Sequence, residues 1–452
     1  MPECLAVPQP LGLRLMFRLG WKRSDHYSRT VHATVEKELL PGANLDLACS
    51  SEPAPFRSSF PFVWTGRVRL PLRSSQSTFL GAVLSPSFLR ALAQIEQGAN
   101  EYRVESTPAE YWDAHPLAEY TRAVNLMLGE RFGIPFAGSL LRLWLEQQPR
   151  NRDFWNRMRV DVAIPAGTTS VAALWSGVRV VIVPGTGVGS VEEAARTGAY
   201  SEGLYLRDFR ALGITASGLT TDALGSVPAN SLLIRAQLLP FLRSGEHLII
   251  LAESRGVAEA LTALASFPEY SGQIAGFLNF SGLVRGSFLA EWAATTPWVG
   301  EASEIGNRLP AHLGRFGPLL QAVMSLGYSD IEPLFQSNLQ GLRGLPVAIN
   351  VLAIPPVTGI AEASGCQLMQ EQVIRRFMTD YGPNDGLIAP PDSLIPEGIF
   401  QATRTIAVSA SHTLYDGDFE GRVDLRLAAG RRAFLKALLL GLHEELTQLE
   451  NP

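Results

Sequence analysis

The chain has 452 residues, 46% of them apolar and 18% charged, the profile of an ordered globular protein and not of a disordered or fibrous one. A net charge of −5 gives no basis for nucleic-acid binding. Cys4, Cys49 and Cys366 are odd in number and scattered, which excludes a disulfide framework and a cysteine zinc site.

The length exceeds one ordinary core, so a large domain with an appendage, or two domains, is expected. No stretch reaches the roughly 18 apolar residues of a membrane-spanning helix. The N-terminus lacks the basic-then-apolar order of a secretion signal, so a cytoplasmic location is expected. From Leu11 to Trp21 apolar residues crowd around Arg14 and Arg18, with Lys22 and Arg23 following. That segment suits either a peripheral membrane contact or packing on the protein itself.

Residues 1–165 carry Ser/Pro/Arg-rich stretches such as Ser50–Phe62 and no catalytic spacing or cofactor fingerprint. Helices are predicted around Ser87–Gln97 and Pro116–Gln148, the second broken at Gly133 and Pro135. The region reads as an N-terminal extension of unknown role. From about 158 the texture becomes β-branched runs alternating with helical periods. "MRVDVAIP", "VRVVIVPG", "LGITASG", "HLIILA", "IAGFLNFSG", "LPVAINVLAIPP" and "TRTIAVSA" read as strands. The helix "NSLLIRAQLLPFLRSG" has Asn230 as its candidate cap. Such alternation builds a mostly parallel sheet with helices on both faces. Residues 286–345 are mainly helical and longer than a crossover needs, so a cap inserted over the sheet is expected.

One junction stands out. The apolar run of "HLIILAESRGVAEALTAL" ends at Ala252, and Glu253, Ser254, Arg255 and Gly256 lead into a helical pattern. A serine there, with small residues two before and two after, fits a nucleophile elbow, in which the turn is too tight for larger flanking side chains. A serine capping the helix fits the same letters. A nucleophilic serine needs a base, and three histidines follow it. His312 lies in the cap segment and His443 in the terminal helix, whereas His412 lies just past the last predicted strand, where a loop can return it to the elbow. For the carboxylate, Asp385 occupies an Asn-Asp-Gly turn, which is also ordinary turn chemistry. Asp380, Glu362 and Asp392 lie in the same interval.

These segments, in this order from about 175 to 440, resemble the α/β-hydrolase superfamily, in particular its lipase and esterase branch. "VVIVPGTGVGS" is similar to the strand and oxyanion loop, "LAESRG" to the elbow, "PNDGLI" to the acid-bearing segment and "SASHT" to the histidine loop. The resemblance implies an α/β-hydrolase fold over 166–452 with a helical cap at about 286–345. It implies Ser254 as nucleophile, His412 as general base and acid, and Asp385 as the orienting carboxylate. It also implies the backbone N–H groups of Thr186 and Arg255 as the oxyanion hole. Pro184-Gly185 stands where lipases commonly have His-Gly, and the bulky Arg255 beside the nucleophile is a departure that could pair with Glu253, Glu259 or a substrate carboxylate. The glycines of "PGTGVGS" match neither G-x-G-x-x-G nor a P-loop.

The expected activity is serine-dependent hydrolysis of a carboxylic ester, preferably a lipid or other apolar acyl ester, through an acyl-enzyme and without cofactor or metal. Trp292 and Phe316 of the cap are candidate acyl contacts. Hydrolysis or transfer of a thioester or amide stays open, since the same triad serves all acyl transfer. So does a non-catalytic binding or scaffold role.

Overall fold

The computed structural model describes residues 117–450, less 133–137, 164–170, 296–320, 355–381 and shorter interruptions, and the backbone of four strands between residues 17 and 69. The chain divides into two compact units, Met1–Thr107 with Pro356–Arg376, and Pro108–Pro355 with Phe377–Pro452. In the first unit β1 (Phe17–Lys22), β2 (Thr30–Val35), β3 (Asn44–Ser50) and β4 (Val63–Arg69) form an antiparallel meander in chain order. The segment considered above for membrane contact supplies β1, with Phe17 opposite Val35 and Lys22 opposite Thr30.

The second unit begins with α1 (Arg122–Phe132) and α2 (Pro149–Ala163). Then come β5 (Val178–Val183), α3 (Val191–Thr197), α4 (Ser201–Ala211), β6 (Ala216–Gly218), α5 (Val227–Arg243), β7 (His247–Glu253) and α6 (Arg255–Ala265). β8 (Ile274–Phe280), α7 (Phe288–Thr295), α8 (Tyr328–Leu342), β9 (Val347–Ala353), β10 (Ala402–Val408) and α9 (Ala428–Glu450) follow, with shorter elements between them. The strands form one sheet in the order β10-β9-β8-β7-β5-β6. Every pairing in it is parallel.

Period-two alternation divides the strand residues between two cores. Val180, Ile182, Ile249, Leu251, Leu278 and Phe280 face α2, α4 and α9, where Met158, Phe209, Phe434 and Leu438 meet them. Val181, Val183, Leu248, Ile250, Ala252 and Phe277 face α5, α6 and α8, against Ile234, Leu238, Leu261 and Phe335. Burial on both faces is why β5 and β7 read as near-continuous apolar runs.

Two local readings differ from the sequence expectation. "MRVDVAIP" was expected as a strand, but Met158–Ala163 is the last part of α2. Its alternation spans little more than one helical turn. Phe154, Trp155 and Met158, at i, i+1 and i+4, form a buried stripe upstream, and Phe154 meets Phe434 of α9 edge-on at 6.0 Å. Asn230 does not cap α5. Ser226 does, its Oγ accepting the Ala229 N–H, and Asn230 is fully buried inside the helix. Of the segment 286–345, α8 packs on α6 with Phe335 and Leu342 in the sheet-facing core, so α8 serves as the crossover helix between β8 and β9.

From β5 the chain moves outward to β6, then returns past β5 to β7 and continues the other way. The carboxyl ends of β5 and β7 therefore flank the point where strand order reverses, the place at which open parallel sheets leave a crevice.

Candidate active site

β7 ends at this crevice. Ser254 has φ 54° and ψ −127°, a conformation costing a non-glycine residue on the order of 1–3 kcal/mol. The surroundings hold it there. Its N–H donates to Phe280 O at 3.1 Å, and its carbonyl accepts the N–H groups of Leu283 (2.9 Å) and Val257 (3.1 Å). The flanking small residues follow from contact. A Cβ on Gly256 would stand 2.5 Å from Pro184 O, and Ala252 is completely buried. Ser254 precedes α6 without a side-chain capping bond, which answers the alternative of a capping serine.

The hydroxyl is engaged elsewhere. His412 Nε2 lies 2.8 Å from Ser254 Oγ, and His412 Nδ1 lies 2.7 Å from Asp385 Oδ2. His412 and Asp385 are both buried, and Ser254 is half-exposed at the crevice. The Asn-Asp-Gly turn and the histidine contact use different oxygens. Asp385 Oδ1 accepts the N–H groups of Leu387 (2.9 Å) and Ile388 (2.7 Å), leaving Oδ2 for the imidazole. Such an arrangement fixes the ring, favours the proton on Nδ1 and leaves Nε2 to take the serine proton.

Of the other acids in that interval, Asp392 is committed elsewhere. Its carboxylate is fully buried and bonded to Arg122 Nε at 2.5 Å and Tyr328 Oη at 2.9 Å. Burial raises it to about 6, the charge of Arg122 and the two hydrogen bonds pulling the other way. Glu362 and Asp380 lie outside the described residues, as do His312 and Phe316. His443 packs edge-on against Trp175 at 5.9 Å. Trp292 is half-buried on α7.

Sequence reasoning missed the support under the acid loop. Asn125 of α1, fully buried, donates to Pro383 O at 3.0 Å and accepts from Tyr120 Oη. Arg122 of the same helix holds Asp392 and also bonds Glu332 and Arg285 O. Apart from the Tyr120–Asn125 bond, these contacts span more than 160 residues of sequence, and nothing local marks them. Polar residues on an otherwise apolar helix such as α1 were the available signal.

Across the crevice, Pro184, Gly185 and Thr186 follow β5. A Cβ on Gly185 would stand 3.2 Å from Glu253 O and 3.4 Å from Ser254 Cβ, so this loop touches the elbow. The Gly185 N–H donates to Glu202 Oε1 at 2.8 Å. Among the described residues neither the Thr186 N–H nor the Arg255 N–H donates to a protein acceptor. The Arg255 side chain is fully buried and turned away from the crevice. Its partner is Glu259, with Nε 2.8 Å from Oε1, and its terminal nitrogens donate to the carbonyls of Ala223, Gly225 and Asp222. Burial raises the Glu259 carboxyl to about 7, although Arg255 and the Asn230 amide pull it down. Arg255 thereby ties α6 to the loop at 222–225, which accepts the Gly187 N–H of the β5 loop through Ala223 O.

No protein-family model and no curated protein matches the sequence. Solved structures do resemble the chain. A metagenomic carboxyl esterase, MGS0156, is 19% identical with a TM-score of 0.42, over 63% of this chain and 79% of the other. The mature form of the Bacillus licheniformis lipase BlEst2 is 16% identical with a TM-score of 0.38, over 52% and 85%. The RedJ thioesterase of prodiginine biosynthesis in Streptomyces coelicolor is 12% identical with a TM-score of 0.31, over 63% of this chain and 90% of the other. Likeness this distant carries no inference about substrate. The fold is identified by the parallel sheet, its reversal between β5 and β7, and a strained serine turn joining a central strand to a helix. The second unit has the layout of an α/β-hydrolase fold.

Proposed function

We propose that the protein is a serine hydrolase acting on carboxylic esters through an acyl-enzyme. The observation that carries this reading is the continuous chain from Ser254 Oγ to His412 Nε2 at 2.8 Å and from His412 Nδ1 to Asp385 Oδ2 at 2.7 Å. In the first half-reaction His412 takes the hydroxyl proton as Ser254 attacks the acyl carbonyl, then returns it to the departing alcohol. Water, deprotonated by the same nitrogen, cleaves the acyl-enzyme in the second half. Asp385 holds the ring and balances the imidazolium charge. The N–H groups of Thr186 and Arg255 receive the oxyanion, each contributing roughly 2.7–4 kcal/mol at the transition state.

An apolar acyl group is the proposed substrate feature, with Trp292 as its contact on α7. Labelling with a fluorophosphonate, followed by mapping of the adduct, tests the nucleophile. We expect a single adduct at Ser254, lost in Ser254→Ala. Undiminished labelling of that variant would refute the assignment, and wild-type protein that never labels would favour a binding role. A panel of p-nitrophenyl esters, acyl thioesters and amides ranks the acyl donors.

A further inference from the structure

Beneath the junction of the β5 loop and the elbow lie two carboxyls that the reaction just described does not use. Glu202, in the first turn of α4, and Glu253, the last residue of β7, are both buried. Ser201 Oγ stands between them, 2.9 and 2.8 Å from the two Glu253 oxygens and 3.2 Å from Glu202 Oε2. The other Glu202 oxygen accepts the Gly185 N–H.

A serine hydroxyl has one proton to give. If it goes to Glu253, the contact with Glu202 calls for a proton on Glu202, and the reverse holds if it goes to Glu202. Two buried carboxylates at one hydroxyl also repel, so one proton shared between them is the favoured state. Burial pushes the Glu202 carboxyl up from its ordinary range. The Gly185 N–H, its own backbone N–H, the Ser201 hydroxyl and the His412 charge oppose that shift with less effect. Among the described residues, the charged or titratable groups facing Glu202 include Glu253 from β7 and His412 from the loop after β10.

We propose that Glu202 is a positioning residue of the serine-hydrolase site. As a neutral acid it donates to Ser201 Oγ, which donates to the Glu253 carboxylate, while its carbonyl oxygen fixes the Gly185 N–H. The loop that aims the Thr186 N–H is thereby locked to the residue preceding the nucleophile. This inference rests on the function proposed above.

Glu202→Gln and Glu202→Leu separate positioning from simple packing. The glutamine keeps both the acceptor for Gly185 and the donor to Ser201, whereas leucine keeps bulk alone. We expect E202L to lower kcat about 10- to 100-fold with little change in KM, as for a misplaced catalytic group. E202Q should recover most of that loss. The infrared spectrum at neutral pH should show the carbonyl stretch of a protonated carboxyl in wild type and lack it in E202Q. If E202L does not fold, Ser201→Ala, which removes the bridging hydroxyl, takes its place with the same expected loss. An E202Q enzyme as slow as E202L, or infrared spectra identical in wild type and E202Q, would overturn the assignment. Fluorophosphonate labelling of the same samples keeps the two levels apart. Wild-type protein that neither labels at Ser254 nor cleaves esters removes both readings. Wild type that does both, alongside an equally fast E202L, removes the role of Glu202 alone.

Discussion

At the scale of single residues, Asp385 offers a clean separation of fold from chemistry, because its two oxygens have separate partners. Asp385→Asn can keep Oδ1 as acceptor for Leu387 and Ile388, so the turn persists. Its amide nitrogen then faces His412 Nδ1, and the ring must present an acceptor there and carry its proton on Nε2, the wrong tautomer for a base. We expect kcat to fall by about 10⁴, as in the Ser-His-Asp template. The melting temperature should stay close to wild type, which thermal unfolding of the same preparation checks. Near-normal turnover would pass the role to another carboxylate. The positions of Ser254 and His412 were legible because each follows a predicted strand, and that of Asp385 because an Asn-Asp-Gly turn marks it. The destination of the Arg255 side chain was not legible, since both Glu253 and Glu259 were candidate partners and the carbonyls that also hold the guanidinium come from the distant loop at 222–225.

At the scale of elements, the strands of the sheet were readable from apolar run length, and α2 was not. Two valines alternating with polar residues in "RVDV" imitate a strand, and only the partner helix α9 shows which period the chain obeys. The bracing by α1 is equally non-local. Arg122 joins α1 to Asp392, to Glu332 and Tyr328 of α8, and to Arg285 O ahead of α7, its guanidinium carbon 3.6 Å from the centre of the Tyr328 ring. Removing it in Arg122→Ala leaves the Asp392 carboxylate buried with Tyr328 as its remaining side-chain partner among the contacts described here. A fully buried pair would lose about 3–5 kcal/mol, but Arg122 is 39% exposed, so the expectation is about 1–2 kcal/mol. The sign with pH follows from the raised Asp392, at about 6 when folded against 3.8 unfolded. The folded state binds the extra proton, so the stability tied to this group declines as pH rises across that window. Without Arg122 the folded value rises further, and the deficit of R122A relative to wild type should grow from acidic to alkaline pH. Urea unfolding at several pH values measures it, and a constant deficit would count against this account.

At the scale of the whole molecule, the parallel sheet and its helical layers were legible in the sequence, because two-sided burial and helical spacing leave strong patterns. The meander of β1 to β4 was not, since charged residues and, between β3 and β4, a Pro- and Ser-rich stretch interrupt its short strands. The strand order has a further consequence. β10 is an edge of the described six-stranded sheet, paired there with β9 alone, and His412 rides on the loop that follows it. Ser254, by contrast, is fixed to β7 in the interior. Edge elements open locally at lower free energy than the centre of a sheet. Detachment of a single strand would therefore separate His412 from Ser254, and abolish the proposed activity, while most of the core remained intact. Ester turnover should vanish at a lower urea concentration than far-ultraviolet circular dichroism does, and coincident curves would contradict this. On that view the working lifetime of the proposed activity is set by how firmly one peripheral strand is fastened, and engineering its durability means reinforcing the seam between β9 and β10 before touching the core.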